Sequence, residues 1–176
     1  MTGSAMLGAS TPGLLRLIAQ ACFLAVLAVL SVVDLRSRRL PDRIVLPTLW
    51  AGLVLNAGGA ALATPAASVL GAAAGYLSLW LLSAAYALRA GRWRAAFGGG
   101  DLKLAAMIGA WLGIQAMPAA FLVAFVAGTC AVLPGLLSGR LRLGHAVPFG
   151  PALALGGAAV LAAGPSLAGW VSLGAW

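Results

Sequence analysis

Six apolar stretches succeed one another along the chain, at about Leu14 to Val33, Ile44 to Thr64, Ala66 to Leu88, Leu102 to Met117, Ala119 to Leu137 and Val147 to Trp176. A helix needs roughly 20 apolar residues to cross the hydrocarbon core of a bilayer, where every backbone N–H and C=O has to be satisfied within the protein. Stretches of this length and number predict an all-α polytopic membrane protein of about six transmembrane helices, a single domain over residues 1–176. The fourth is short and begins beside Asp101 and Lys103, and the last carries Pro165, which can break it. Pro41, Pro65 and Pro118 stand near helix starts, where a missing N–H is harmless, whereas Pro47 falls inside the second stretch. A soluble fold is excluded by the same pattern, since 62% of the residues are hydrophobic and 8% charged, against roughly 25% charged in an ordinary soluble domain. In water such a chain would expose large apolar patches. Its 24 glycines follow no Gly-X-Y period, which excludes collagen, and glycine suits membrane helices by letting them approach closely.

Charge then orients the bundle. If alternate loops face the cytosol, one side collects Arg36, Arg38, Arg39 and Arg43, then Arg89, Arg92 and Arg94, then Arg140 and Arg142. The opposite loops carry no charge, and Arg16 snorkels from the start of the first stretch. Both termini are therefore expected on the exoplasmic side. The net charge of +8 is explained by this topology, with anionic membrane lipids as the partners of the arginines and no nucleic-acid motif to set against them. The first stretch runs on to Val33 and meets Arg-Ser-Arg-Arg, the pattern of an uncleaved anchor rather than a signal peptide.

The chain has three acidic residues, Asp34, Asp42 and Asp101, all on the predicted cytosolic side. A carboxylate at membrane depth costs several kcal/mol, so it protonates, pairs with a cation or moves toward water. Two brought together share a proton, and such a pair can hydrolyse a peptide: the anion draws a proton from water while the acid polarises the scissile carbonyl. On spacing alone two other readings stay open. Asp34 and Asp101 can simply end their helices and bind loop arginines, or they can form a proton- or ion-transfer pair in a non-enzymatic membrane assembly or transport subunit. Asp34 stands at a helix C-terminus, where carbonyls disfavour an anion, and Asp101 at a helix N-terminus, where N–H groups favour one; Asp34 is thus expected to be the resting acid. Asp42, after Pro41 at the opening of the second helix, is expected to hold Arg38 or Arg39. Gly98, Gly99 and Gly100 are expected to form a loop using turns closed to other residues. Gly109 and Gly113 read as a small-xxx-small packing face. Cys22 and Cys130 read as small buried side chains with no metal set, His145 as structural, and the tryptophans near helix ends as interfacial anchors.

Four blocks then carry a resemblance: VVDLRSRRLPDRIVLPTLWAGLVLN, GYLSLW, GGGDLKLAAMIGAWLG and VPFGPALALGG, in this order between about Val32 and Gly157. The chain resembles the bacterial type IV prepilin leader peptidases of the GxGD aspartyl protease group. The resemblance implies that Asp34 and Asp101 are the catalytic aspartates, with Gly98 and Gly100 at the motif's glycines and Lys103, Gly109 and Gly113 in its continuation; Pro41 and Asp42 match the family's Leu-Pro-Asp. It further implies cleavage of a basic leader from type IV prepilins or pilin-like precursors of a pilus or secretion system, at the cytosolic face of the bacterial cytoplasmic (inner) membrane. Full-length relatives add a cytosolic region with paired CxxC motifs and methylate the new N-terminus with S-adenosylmethionine. This chain has no CxxC and resembles the short six-helix members. Proteolysis by two carboxylates requires no cofactor, and S-adenosylmethionine enters only if methyl transfer is retained.

Overall fold

The computed structural model describes residues 4–58, 62–90, 97–139 and 148–164. Among these lie α1 (Ser4–Ser37), α2 (Asp42–Ala57), α3 (Pro65–Ala90), α4 (Gly99–Leu112), α5 (Met117–Leu137) and α6 (Gly150–Ala163), with a single 3-10 turn, Ile114–Ala116, leading into α5. Three stretches, Gly13–Ser37, Pro65–Arg89 and Ile114–Gly135, are helical, long and apolar enough to cross a membrane. The other helices are shorter than the apolar runs they overlap. α2 stops at Ala57, where Gly58 folds back and donates its N–H to the Val54 carbonyl (2.9 Å). α4 stops at Leu112 because Gly113 takes a left-handed φ of 81°, closing the helix with an N–H to the Gly109 carbonyl (2.8 Å). With 14 residues α4 is about 21 Å long at roughly 1.5 Å per residue.

The bundle is inside out by the standards of a soluble protein. Large apolar side chains point outward, among them Leu17, Trp50, Val54, Leu88 and Val126. Small residues line the helix contacts, the arrangement lipid favours because it leaves packing rather than apolar burial to hold helices together. The chain is thus an all-α, multi-helix membrane protein. Cys22 and Cys130 are exposed on this outer surface rather than buried, where a small thiol faces lipid without penalty.

α4 is the hub: every residue from Leu104 to Trp111 is buried, enclosed by α2, α3 and α6. α3 lies antiparallel to it, Gly71 against Gly109 and Gly75 against Ala105, so close that a Cβ at Gly71, Gly75 or Gly109 would run into the facing backbone. α5 and α6 pair in the same way, Gly156 on the Ala120 carbonyl and Gly128 beneath Phe149. Trp111, near the end of α4, is a core residue rather than an interfacial anchor. It stacks on Phe23 of α1 (4.6 Å between centroids), donates its indole N–H to the Thr48 carbonyl (2.7 Å) and fills the space left by Gly52. Trp50 and Trp80 face outward. Trp93, Trp170, Trp176 and His145 lie outside the described residues.

These pairings gather the C-terminal ends of α1, α3 and α5 and the N-terminal ends of α2, α4 and α6 at one end of the bundle. Arg36, Arg38, Arg39, Arg43, Arg89 and Lys103 share that end, and Arg16 stands on α1 toward the other. Arg92, Arg94, Arg140 and Arg142 lie outside the described residues. At the far end Asn56 ties the bundle together. Its amide donates to the Ala110 carbonyl (2.9 Å) and the Trp111 carbonyl (3.2 Å) of α4 and to Ser68 Oγ (3.2 Å), and its Oδ1 accepts from the Leu62 (2.9 Å) and Ala63 (3.3 Å) N–H groups.

Candidate active site

The last turn of α1 delivers Asp34, and the chain reverses immediately after it. Arg38 adopts φ 51°, uncommon for a side chain with a Cβ, and its N–H bonds back to the Asp34 carbonyl (2.8 Å). Ser37 secures the turn by donating its hydroxyl to the Val33 carbonyl (2.8 Å). The reversal brings Leu40 and Pro41 beneath α4 and starts α2 at Asp42, with Pro41 as its N-cap. Asp42 lies in the first turn of α2, where a carboxylate meets free N–H groups. Its partner is Lys103, whose Nζ donates to both carboxylate oxygens at 2.7 Å, rather than Arg38 or Arg39. Lys103 accordingly reaches across to α2 and does not fold back onto Asp101.

Asp101 occupies the third position of α4 and reaches back to accept the N–H of Gly98, the N-cap (3.1 Å). The three glycines before it are not a loop of special turns. Gly98 has φ −68° and ψ 151°, Gly99 and Gly100 already belong to the helix, and none of the three has a positive φ. What Gly100 supplies is space: a Cβ there would sit 2.9 Å from Leu40 Cβ. A Cβ at Gly99 would meet nothing within 4 Å, and one at Gly98 would make ordinary contact with Asp101 Oδ2 at 3.5 Å. Just upstream, the Phe97 N–H is held by Ser83 Oγ of α3 (3.2 Å).

Asp34 and Asp101, 67 positions apart by their numbers, line one cavity of about 600 Å³. Arg38, Arg39, Leu40, Pro41, Asp42, Arg43 and Gly98 to Gly100 complete its wall. Asp34 is buried and Asp101 half-buried. Asp101 stands in the first turn of α4, outside the three long spans. Burial pushes its carboxyl up to about 6, the Gly98 N–H opposes this, and the negative charge of Asp34 adds to it. The cavity thus holds two acids close enough to feel one another, in a setting that keeps a proton on Asp101 to higher pH than an ordinary carboxylate does. Gly109 and Gly113 stand apart from it, Gly109 on Gly71 and Gly113 ending α4. Among the described residues no group of three or more His, Cys, Asp and Glu side chains is placed to hold a metal ion.

One participant escaped the sequence reading. Gly150, the first residue of α6, donates its N–H to Asp34 Oδ2 (3.0 Å). Asp34 therefore ends one helix and faces the N-terminus of another, so the premise that only Asp101 meets a positive helix end does not hold. The signal was the VPFGP block itself, whose glycine is followed by Pro151 in the first turn of α6.

A helical membrane bundle that draws two carboxylates from separate helices into one polar cleft defines a class, the membrane proteins with a paired-acid site. The chain belongs within it to the type IV leader peptidase family, whose sequence profile matches residues 21–133. It is 46% identical over 137 residues to the prepilin leader peptidase/N-methyltransferase of Burkholderia pseudomallei (strain K96243), covering 78% of this chain and 43% of that protein. Proteins of the same name from Dickeya chrysanthemi and Neisseria gonorrhoeae are 44% and 40% identical, over 84% and 86% of this chain and 50% of each relative. The chain thus spans about half the length of the curated relatives it matches. No solved structure matches it.

Proposed function

We propose that this chain is a membrane aspartyl endopeptidase that removes the basic leader from type IV prepilins or pilin-like precursors. The observation that carries the reading is the shared cleft of Asp34 and Asp101. In it Asp34, held by the Gly150 N–H, acts as the anion that takes a proton from the attacking water. Asp101 holds the proton and donates it to the scissile carbonyl as the tetrahedral intermediate forms; as that intermediate collapses, Asp34 passes the proton it took from water to the departing amine and Asp101 recovers one from a hydroxyl of the intermediate. This reverses the roles that helix ends alone assign, because α6 supplies Asp34 with a donor that its own helix does not. The pair titrates as a unit, so the assignment describes its dominant proton position.

The arginine-rich end of the bundle is the cytosolic face in this reading, with six helices in the cytoplasmic membrane of a bacterium, α4 beginning at headgroup level with Asp101 and Lys103, and both termini outside. Arg36, Arg38, Arg39 and Arg43 are exposed there and meet anionic lipid headgroups. Methyl transfer is not part of the proposal.

The test is cleavage of a leader-bearing pilin-like precursor by the purified protein in lipid vesicles. Release of the leader at a single junction supports the peptidase. Failure to cut any such precursor, together with a proton or ion flux abolished by Asp34→Asn, would assign the acids to transport.

A further inference from the structure

α6 begins on top of Asp34. Gly150 is buried, and its missing side chain is what permits the contact: a Cβ there would sit 2.6 Å from Asp34 Oδ2, 3.0 Å from Cγ and 3.2 Å from Cβ. Its φ is not positive, so the demand for glycine is steric rather than conformational. Pro151 follows and has no N–H, so of the first two positions of α6 only Gly150 offers a donor, and that donor is spent on the carboxylate. The N-terminal end of a helix carries a partial positive charge, which adds to the hydrogen bond in favouring an anion. Charged groups that share the cleft are Asp101 from α4, Arg38 and Arg39 from the turn after α1, and Asp42 and Arg43 from α2; Asp42 is neutralised by Lys103. α6 brings no ionisable side chain within its described residues, so its backbone N–H is what it contributes.

We propose that Gly150 is a positioning residue for Asp34, its lack of a side chain letting the N-terminus of α6 close onto the carboxylate and its N–H fixing that carboxylate as the anionic member of the pair. The inference rests on the peptidase reading above and gives it a third structural element. Ala at this position would have to move from 2.6 Å to at least the 3.4 Å of ordinary contact with Oδ2, displacing the carboxylate or the helix. Misplacing a reacting group by about 1 Å lowers turnover on the order of 100-fold.

Two measurements on the full chain test this. In the first, thermal unfolding is followed for wild type, Gly150→Ala, Asp34→Ala and the double variant. Gly150→Ala is expected to lower the midpoint, and most of the loss is expected to vanish in the Asp34→Ala background; an equal loss in both backgrounds would overturn the contact. In the second, cleavage of a pilin-like precursor is measured against pH. Gly150→Ala is expected to lower kcat on the order of 100-fold with KM little changed. Replacing the Gly150 amide by an ester, which removes only the N–H, is expected to move the acidic limb of the kcat profile to higher pH; an unmoved limb would overturn the electrostatic role. Wild-type protein that cuts no precursor yet keeps the stability coupling would defeat the peptidase reading alone. Normal wild-type cleavage without the coupling would defeat this inference alone.

Discussion

The glycines before Asp101 differ in what they face, and a pair of alanine substitutions exposes the difference. Gly99 and Gly100 both lie in the first turn of α4, so Gly→Ala brings each a similar gain in helix propensity, about 0.5–1 kcal/mol at most. That term cancels when the two variants are compared. What remains is the neighbourhood: open space within 4 Å of a Cβ at Gly99, but Leu40 Cβ at 2.9 Å, Cδ1 at 3.3 Å and Cγ at 3.4 Å from one at Gly100. Leu40 is half-buried and precedes Pro41, whose ring confines it to extended backbone, so it yields only by shifting the wall of the cleft. Overpacking of this kind costs about 1–3 kcal/mol, which is the expected stability difference between Gly99→Ala and Gly100→Ala. Unfolding in detergent micelles measures it, with precursor cleavage followed in parallel. Gly100→Ala should cut at a rate lowered by about 10-fold or more and Gly99→Ala near the wild-type rate. Equal stability of the two variants, or a Gly99→Ala variant as slow as Gly100→Ala, would refute the steric account.

Gly109→Ala pushes a methyl into the Gly71 backbone and is expected to destabilise by about 1–3 kcal/mol or more; cysteines placed across α3 and α4 should then cross-link more slowly. Asn56→Leu leaves the Leu62 and Ala63 N–H groups without their acceptor and should lower stability by about 2 kcal/mol or more, measured by thermal unfolding. Asp101 binds its proton more tightly in the folded protein, about 6 against an ordinary 3.8, so its stabilising contribution is complete below 3.8 and is lost as pH rises through about 6. Stability of the wild type should therefore fall more steeply than that of Asp101→Asn between about pH 4 and 7, and parallel profiles would contradict the shift.

Helix existence was legible because lipid demands long apolar runs, and the run lengths carry that demand directly. Helix ends were not. Gly58 and Gly113 close α2 and α4 inside runs whose hydropathy continues past them. The candidate acids were legible because so few carboxylates occur in so apolar a chain, and the ordered motif blocks joined two of them. Contacts between distant positions left no local trace: Gly150 lies 116 positions from Asp34, Lys103 lies 61 from Asp42, and Asn56 lies 54 from Ala110. The proton assignment left out a contact for the same reason, since it counted each acid's own helix and not the one arriving from elsewhere. Gly98 to Gly100 were misread because glycine was taken to mean unusual backbone, whereas at Gly100 it means a close neighbour.

The central claim is that Asp34 and Asp101 act together on one water. Its most direct test is single-turnover cleavage of a leader-bearing precursor by purified wild type, Asp34→Asn and Asp101→Asn, each shown by circular dichroism and thermal unfolding to keep the wild-type fold. Both Asn variants are expected to lose cleavage by on the order of 100- to 10,000-fold while still binding the precursor. Near-wild-type cleavage by either folded variant would contradict the account.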